Sequence, residues 1–284
     1  MLDRSRISLN RSICPGVNLE EFFKLAAELN INKVELCNDL PGIGIIDRYA
    51  PEYVRELAAQ YKIQIIAINA IQNFNVSSLL PMLLEQLQEL AQLAMAVGGQ
   101  GVVLVPRHSV KDTRNPEQCL HDTVKALKEF APLFAEHNLI GYIKPLGFET
   151  STLQSGITAM QAIQDSGAQH YKIVHDTFHY YIGADTVETI ANEYDVSYLG
   201  LIHVSGVAHE ISKHLYHDTH RGLITPADTL HSREQIAKLI ALGYPGDISF
   251  EPSIAYGQQM DRAELKTAIH NSIAYLLEAE LIHI

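Results

Sequence analysis

The sequence predicts a (β/α)8 barrel, read as one domain over residues 1–284. Three observations lead there. Short apolar runs suited to buried parallel strands alternate with helix-period segments along the whole chain, and eight such units can be counted. Several of the runs also end in a polar residue, where barrel strands deliver side chains to the mouth. A doubly wound open sheet is the alternative architecture and usually needs fewer strands.

The first unit is a strand at Ile7–Asn10 and a helix opened by Asn18 as N-cap, with Leu25, Ala26 and Leu29 on its apolar face. A second strand at residues 33–36 leads to a helix at Pro51–Tyr61, where the proline suits the first turn. The third strand, residues 64–69, precedes a long helix over residues 78–97 that Gly98 and Gly99 stop. Residues 101–106 and 116–137 make the fourth unit, and residues 139–146 and 157–166 the fifth. Strand six runs from Tyr171 into Asp176, with a helix at residues 185–193. Strand seven covers residues 198–204, and a histidine-rich loop then reaches a helix at residues 232–242. The last unit is a strand at residues 247–251 and a helix at residues 261–281.

Composition narrows the function classes. Hydrophobic residues make up 47% against 19% charged, enough apolar surface for a large core, and no Pro/Ser/Gly-rich joint divides the chain. A formal charge of -12 opposes nucleic acid as a partner, because that binding depends on Lys and Arg releasing counterions. No apolar signal core follows the charged opening residues and no run approaches a membrane span, so no membrane partner and a cytoplasmic location are expected. Cys14, Cys37 and Cys119 are odd in number and far apart, which reads as buried free thiols. Histidine is concentrated: eight of the 14 fall between His170 and His220.

Polar residues at strand ends form the candidate site. Strand five carries Lys144, strand six ends at Asp176, strand seven at His203 and strand eight at Glu251. Because strand side chains alternate between faces, Tyr142 with Lys144, Val174 with Asp176, Leu201 with His203, and Ser249 with Glu251 can each point inward together. The same parity turns His175 to the helix layer as a packed histidine, and returns His179 to the rim as a substrate contact. Asp176, His203 and Glu251 are oxygen and nitrogen ligands suited to a divalent cation. The alternatives are a polar network that satisfies itself and, for Asp176, a cap on the next helix. Arg221 is read as a guanidinium for substrate oxygens or a salt bridge to Asp218. Asn69, ending strand three, is read as a hydroxyl contact or a turn residue, and Glu149 as a substitute ligand. Two motifs are set aside. His209 and His214 are spaced wrongly to share a helical face, and Gly42-Ile-Gly44 lacks the strand and helix of a phosphate loop.

At these residues the chain resembles the xylose isomerase-like barrel superfamily of sugar isomerases and epimerases, and within it the inosose isomerase branch. The resemblance spans nearly the whole chain. It is carried by Pro145-Leu-Gly-Phe148, Val174-His-Asp-Thr-Phe-His179, Ile202-His-Val-Ser-Gly206, Asp218-Thr-His-Arg221 and Ser249-Phe-Glu-Pro252. It implies a small sugar or polyol substrate, a homodimer, and a divalent cation (Mn, Zn, Co or Mg) held by Glu, Asp, His and Glu. The two glutamates of that set also move protons. Asp176, His203 and Glu251 match three of the four, whereas the first glutamate, expected directly before Pro145, is Lys144.

Coulomb's law weighs that replacement. At 4 Å and an effective dielectric of 20, unit charges interact by about 4 kcal/mol, so a charged Lys144 would oppose a dication by about 8 kcal/mol. The same arithmetic draws an ammonium to Asp176 and Glu251. Three readings stay open: an isomerase or epimerase with Glu251 as base and a weakened metal site, a metal-free isomerase or dehydratase that depends on Lys144, and a catalytically silent sugar-binding barrel.

Overall fold

The computed structural model describes residues 2–278, with the backbone alone considered at 187 and 188. Eight parallel strands close into a barrel in sequence order, each hydrogen-bonded to the next and the last to the first. They are β1 (Ile7–Asn10), β2 (Lys33–Cys37), β3 (Gln64–Gln72), β4 (Gly101–Val105), β5 (Ile140–Ile143), β6 (Tyr171–Asp176), β7 (Leu199–Val204) and β8 (Asp247–Phe250). The helices are α1 (Leu19–Glu28), α2 (Pro51–Tyr61), α3 (Leu80–Val97), α4 (Pro116–Glu136), α5 (Gly156–Ser166), α6 (Thr177–Ile182), α7 (Val187–Glu193), α8 (Ser232–Ala241), α9 (Ile254–Gly257) and α10 (Arg262–Leu277).

Local chemistry explains the boundaries. Asn18 accepts from the Glu21 N–H at 2.9 Å and opens α1, which turns Phe22, Phe23, Leu25 and Ala26 into the core. Asn115 and Gln118 close a reciprocal capping box on α4. Gly98, at φ +78°, ends α3 in the left-handed conformation that glycine adopts without a Cβ clash. The three cysteines are free and buried.

The barrel follows the predicted parity. Tyr142, Val174 and Leu201 pack with Ile66, Ala67 and Val103 inside the barrel, one layer below the mouth residues of the same strands. His175 faces outward, where its Nε2 lies 3.0 Å from Gln235 Oε1 of α8 and its ring packs on Tyr180.

Three boundaries differ from expectation. β5 stops at Ile143 instead of reaching residue 146; the Lys144 N–H makes one more bond, to Leu104 O at 2.9 Å, and Pro145 has no N–H to offer. β3 runs on to Gln72, and the Phe74 N–H then bonds Val105 O at 3.1 Å. A short helix, α6, follows β6 directly, ahead of the one expected from residue 185, and Asp176 caps it. The expected end of the last helix, at residue 281, lies outside the described residues. Among the described residues, no helix is long and apolar enough to cross a membrane.

Candidate active site

The C-terminal ends of the strands open into a cavity of about 1030 Å³. Its lining includes Asp39, Asn69, Lys144, His179, Arg221 and Glu251, with Phe148 and Tyr216 supplying apolar wall. The volume accommodates a sugar-sized ligand with room to spare.

Five of the sequence-predicted residues converge on one cluster. Lys144, one residue past β5, donates from Nζ to Glu251 Oε2 at 2.6 Å and stands 3.0 Å from Asp176 Oδ2. Arg221 enters from the β7–α8 loop; its Nη2 donates to Asp176 Oδ2 at 3.2 Å, to the Glu251 backbone oxygen at 2.8 Å, and to Glu251 Oε2. His203, fully buried in β7, holds Nδ1 3.1 Å from Glu251 Oε2, out of line for a hydrogen bond, and Nε2 3.1 Å from Glu35 Oε2.

Asp176 is a cap, as one reading of it expected, and its other oxygen meets cations of the chain itself. Its Oδ1 accepts from the Phe178 and His179 backbone N–H groups at 3.0 and 3.2 Å, capping α6, while Oδ2 faces Lys144 and Arg221. Arg221 likewise reaches the cluster and also pairs with Asp218, from Nη1 to Oδ1 at 2.9 Å. His179 borders the cavity as expected, nearly buried, with Nδ1 free of any hydrogen-bond partner and its ring edge-on to Phe148. Asn69 borders the cavity too, but its amide donates to Glu35 Oε2 at 2.7 Å. Glu149 is an exposed rim residue. The 209–214 segment forms no α-helix, and residues 42–44 are loop.

Glu35 is the residue that sequence reading passed over. It lies mid-strand in β2, fully buried, with Oε2 shared by Asn69 and His203. The signal was available: an acid inside a short apolar strand needs a partner as much as Asp176 does.

The charges lock one another. Burial raises the cost of each ion, yet the opposite charges outweigh it. Lys144 is held above its ordinary value by Glu251 and Asp176, against burial. Asp176 and Glu251 are pushed down against burial, the first by Arg221 and Lys144, the second by His203, Lys144 and Arg221. Burial pulls His203 the other way, but Glu251 and Glu35 raise it to about 9. In His179 burial dominates and lowers the imidazole to about 4, so its ring is neutral at pH 7.

The donor set can be tested for a cation. Asp176, His203 and Glu251 each offer an atom within 4.8 Å of the others, a spacing that could hold a metal ion. However, Glu251 Oε2 and Asp176 Oδ2, the oxygens that face this point, both already meet the Lys144 ammonium and the Arg221 guanidinium. The residues in this arrangement therefore do not fit a dication, and the cluster's positive centre is Lys144.

Residues 23–276 match the family model described as xylose isomerase-like TIM barrel. The chain belongs to this family. Among solved structures it is 32% identical to a xylose isomerase domain-containing protein from Salmonella typhimurium, with a TM-score of 0.90 over 98% of this chain and 99% of that one. The IolI protein with a bound zinc atom matches at 15% identity and a TM-score of 0.87, over 98% of this chain and 100% of that one. D-psicose 3-epimerase from Clostridium cellulolyticum, solved with D-tagatose, matches at 13% identity and a TM-score of 0.77, over 96% and 99%. These last two likenesses establish a shared fold. A search of curated proteins finds no match.

Proposed function

We propose that the chain is an isomerase or epimerase of a keto sugar or keto-polyol, of the inosose isomerase kind, in which the Lys144 ammonium stands where its relatives would hold a cation. One observation carries this reading: Lys144 Nζ lies 2.6 Å from Glu251 and 3.0 Å from Asp176 at the floor of the cavity. The D-psicose 3-epimerase among its structural neighbours, solved with D-tagatose, supports the substrate class.

The chemistry follows from fixed charge. Loss of a proton from the carbon beside a carbonyl sends the C–H electron pair into a new C=C bond and the C=O pair onto oxygen. Lys144 and Arg221 are already oriented by their carboxylates, so they can stabilise that oxyanion with little reorganisation. An ammonium has three donors; Lys144 gives one to Glu251 and stands 3.0 Å from Asp176 Oδ2, so a donor remains for the substrate oxygen. A lysine held above its ordinary value is an oxyanion partner and not a base. Glu251 borders the cavity and is the carboxylate assigned to carry a proton, although its cationic neighbours make it weakly basic. Neutral His179 and Arg221 bind hydroxyl oxygens, and Asn69 lines the same wall.

The test is turnover without metal. Chelator-treated protein is incubated in D2O with D-fructose, D-psicose, D-tagatose and a keto-inositol, and proton NMR follows product and deuterium beside the carbonyl. The expected outcome is exchange that survives the chelator and falls by about 10²-fold or more in Lys144→Met. Exchange that appears only after Mn, Zn, Co or Mg is added would sink the role given to Lys144. Binding without exchange would make the chain a silent sugar-binding barrel.

A further inference from the structure

With Lys144 held as a cation and Glu251 paired to both Lys144 and Arg221, the site is short of a base. We infer that Asp39 is the second proton-transfer group of this site, acting on the substrate from the β2 wall of the cavity. This inference rests on the isomerase or epimerase reading above.

The cavity wall offers four carboxylates: Asp39, Glu149, Asp218 and Glu251. Glu251 is gripped by Lys144 and Arg221 with His203 alongside, and Asp218 accepts from Arg221 at 2.9 Å. Both are therefore poor proton acceptors. Glu149 is exposed on the loop beyond Lys144. Asp39 is exposed as well, but unlike Glu251 and Asp218 it has no ion-pair partner among the described residues, and it lines the cavity from the β2 side.

Its position is built. The preceding residue, Asn38, is clamped to β3 by three hydrogen bonds: its N–H to Asn69 O at 2.7 Å, its amide Nδ2 to Ala70 O at 2.9 Å, and its Oδ1 from Ala70 N–H at 2.9 Å. The following residue, Leu40, is buried in the core. Thus an acid that reaches solvent is held from both sides, as a proton carrier must be for geometry to persist between turnovers. Asp39 follows β2, three strands round the barrel from β5 and Lys144. A carbonyl held by Lys144 and Arg221 lies beside Glu251, which both cations contact, and Asp39 lines the same cavity after β2. Partial burial, then the charge of Glu251, raise Asp39 above its ordinary value, while Lys144 lowers it. That direction makes it the better base of the pair.

The step balances within the site. Asp39 carboxylate takes the proton from the carbon beside the carbonyl, the C–H pair forms C=C, and the carbonyl pair moves to oxygen opposite Lys144. The now neutral Asp39 returns that proton to the former carbonyl carbon, while the neighbouring hydroxyl's proton passes to the new oxyanion and the hydroxyl oxygen becomes the carbonyl. No oxidant, reductant or net proton is consumed.

The experiment compares wild type, Asp39→Asn and Asp39→Glu in D2O with the same four substrates, reading deuterium incorporation by NMR and substrate binding by saturation-transfer NMR. Asparagine keeps a hydrogen-bonding side chain and loses only basicity. The expected result is binding retained, exchange reduced by about 10²- to 10⁴-fold in Asp39→Asn, and partial recovery in Asp39→Glu. Wild-type exchange matched by Asp39→Asn would overturn the role of Asp39 and leave the isomerase reading standing. No exchange by wild type with any of the four would remove the reading and this inference together.

Discussion

At position 144, where the resemblance implies a carboxylate, the chain places an ammonium against Asp176 and Glu251 at the barrel mouth. Lys144 satisfies Asp176 and Glu251 directly, so its loss has a structural as well as a chemical consequence. Two buried carboxylates would then share Arg221 alone with His203, and breaking a buried pair from one side typically costs about 3 kcal/mol or more. Lys144→Met is expected to lower unfolding stability by that order in urea titration, with the folded state retained. Lys144→Glu is the more informative change. It completes the Glu, Asp, His, Glu set that the resemblance implies, and the repulsion of about 8 kcal/mol toward a dication becomes attraction. Calorimetry with Zn or Mn should then show binding at least about 10²-fold tighter than wild type. Equal affinities in the two proteins would mean that Lys144 does not govern the site.

Among the elements, β6 and α6 share one residue, and this coupling can be dissected. Asp176 caps α6 through Oδ1 and meets Lys144 and Arg221 through Oδ2. Asp176→Asn keeps an acceptor for the cap and removes the charge, whereas Asp176→Ala removes both. The difference between their unfolding free energies should be about 1 kcal/mol, the usual worth of a cap. A difference near zero would show that Oδ1 does not hold the helix. Much of this organisation was legible in the sequence. Strand parity alone brought Lys144, Asp176, His203 and Glu251 to one end and turned His175 away, because a period of two leaves each strand only one choice of face. What escaped was non-local. Glu35 looked like an ordinary strand residue because its partner His203 is five strands further along the chain. Arg221 could be assigned to Asp218 or to substrate, but its reach to Asp176 depends on how a long loop folds back over the mouth. Asp39 offered no pattern at all, since a loop acid becomes chemical only when the closed barrel brings it to the same cavity as Glu251.

For the whole molecule the buried histidines predict how stability depends on pH. His179 is lowered from its ordinary 6.5 to about 4, so between those values the unfolded chain binds a proton that the folded chain refuses. Stability therefore rises with pH across that window and falls as the solution is acidified. His203 is raised from 6.5 to about 9, so the folded state holds a proton that the unfolded state releases, and stability is lost as pH rises from 6.5 to about 9. Together they give a maximum near pH 6.5, with each limb on the order of a few kcal/mol. Chemical denaturation at intervals from pH 4 to 9 measures the curve. His179→Gln should flatten the acid limb and leave the alkaline one; a curve unchanged by this substitution would contradict the assignment.

On the proposed function an ammonium, and not a metal ion, is the positive centre of this barrel. Anomalous diffraction at the zinc edge from crystals of the wild-type protein soaked in zinc addresses it most directly. The expected result is no anomalous peak among Asp176, His203 and Glu251, with the Lys144 amine in density between the two carboxylates. A strong peak ligated by those three residues, with Lys144 turned away, would contradict it.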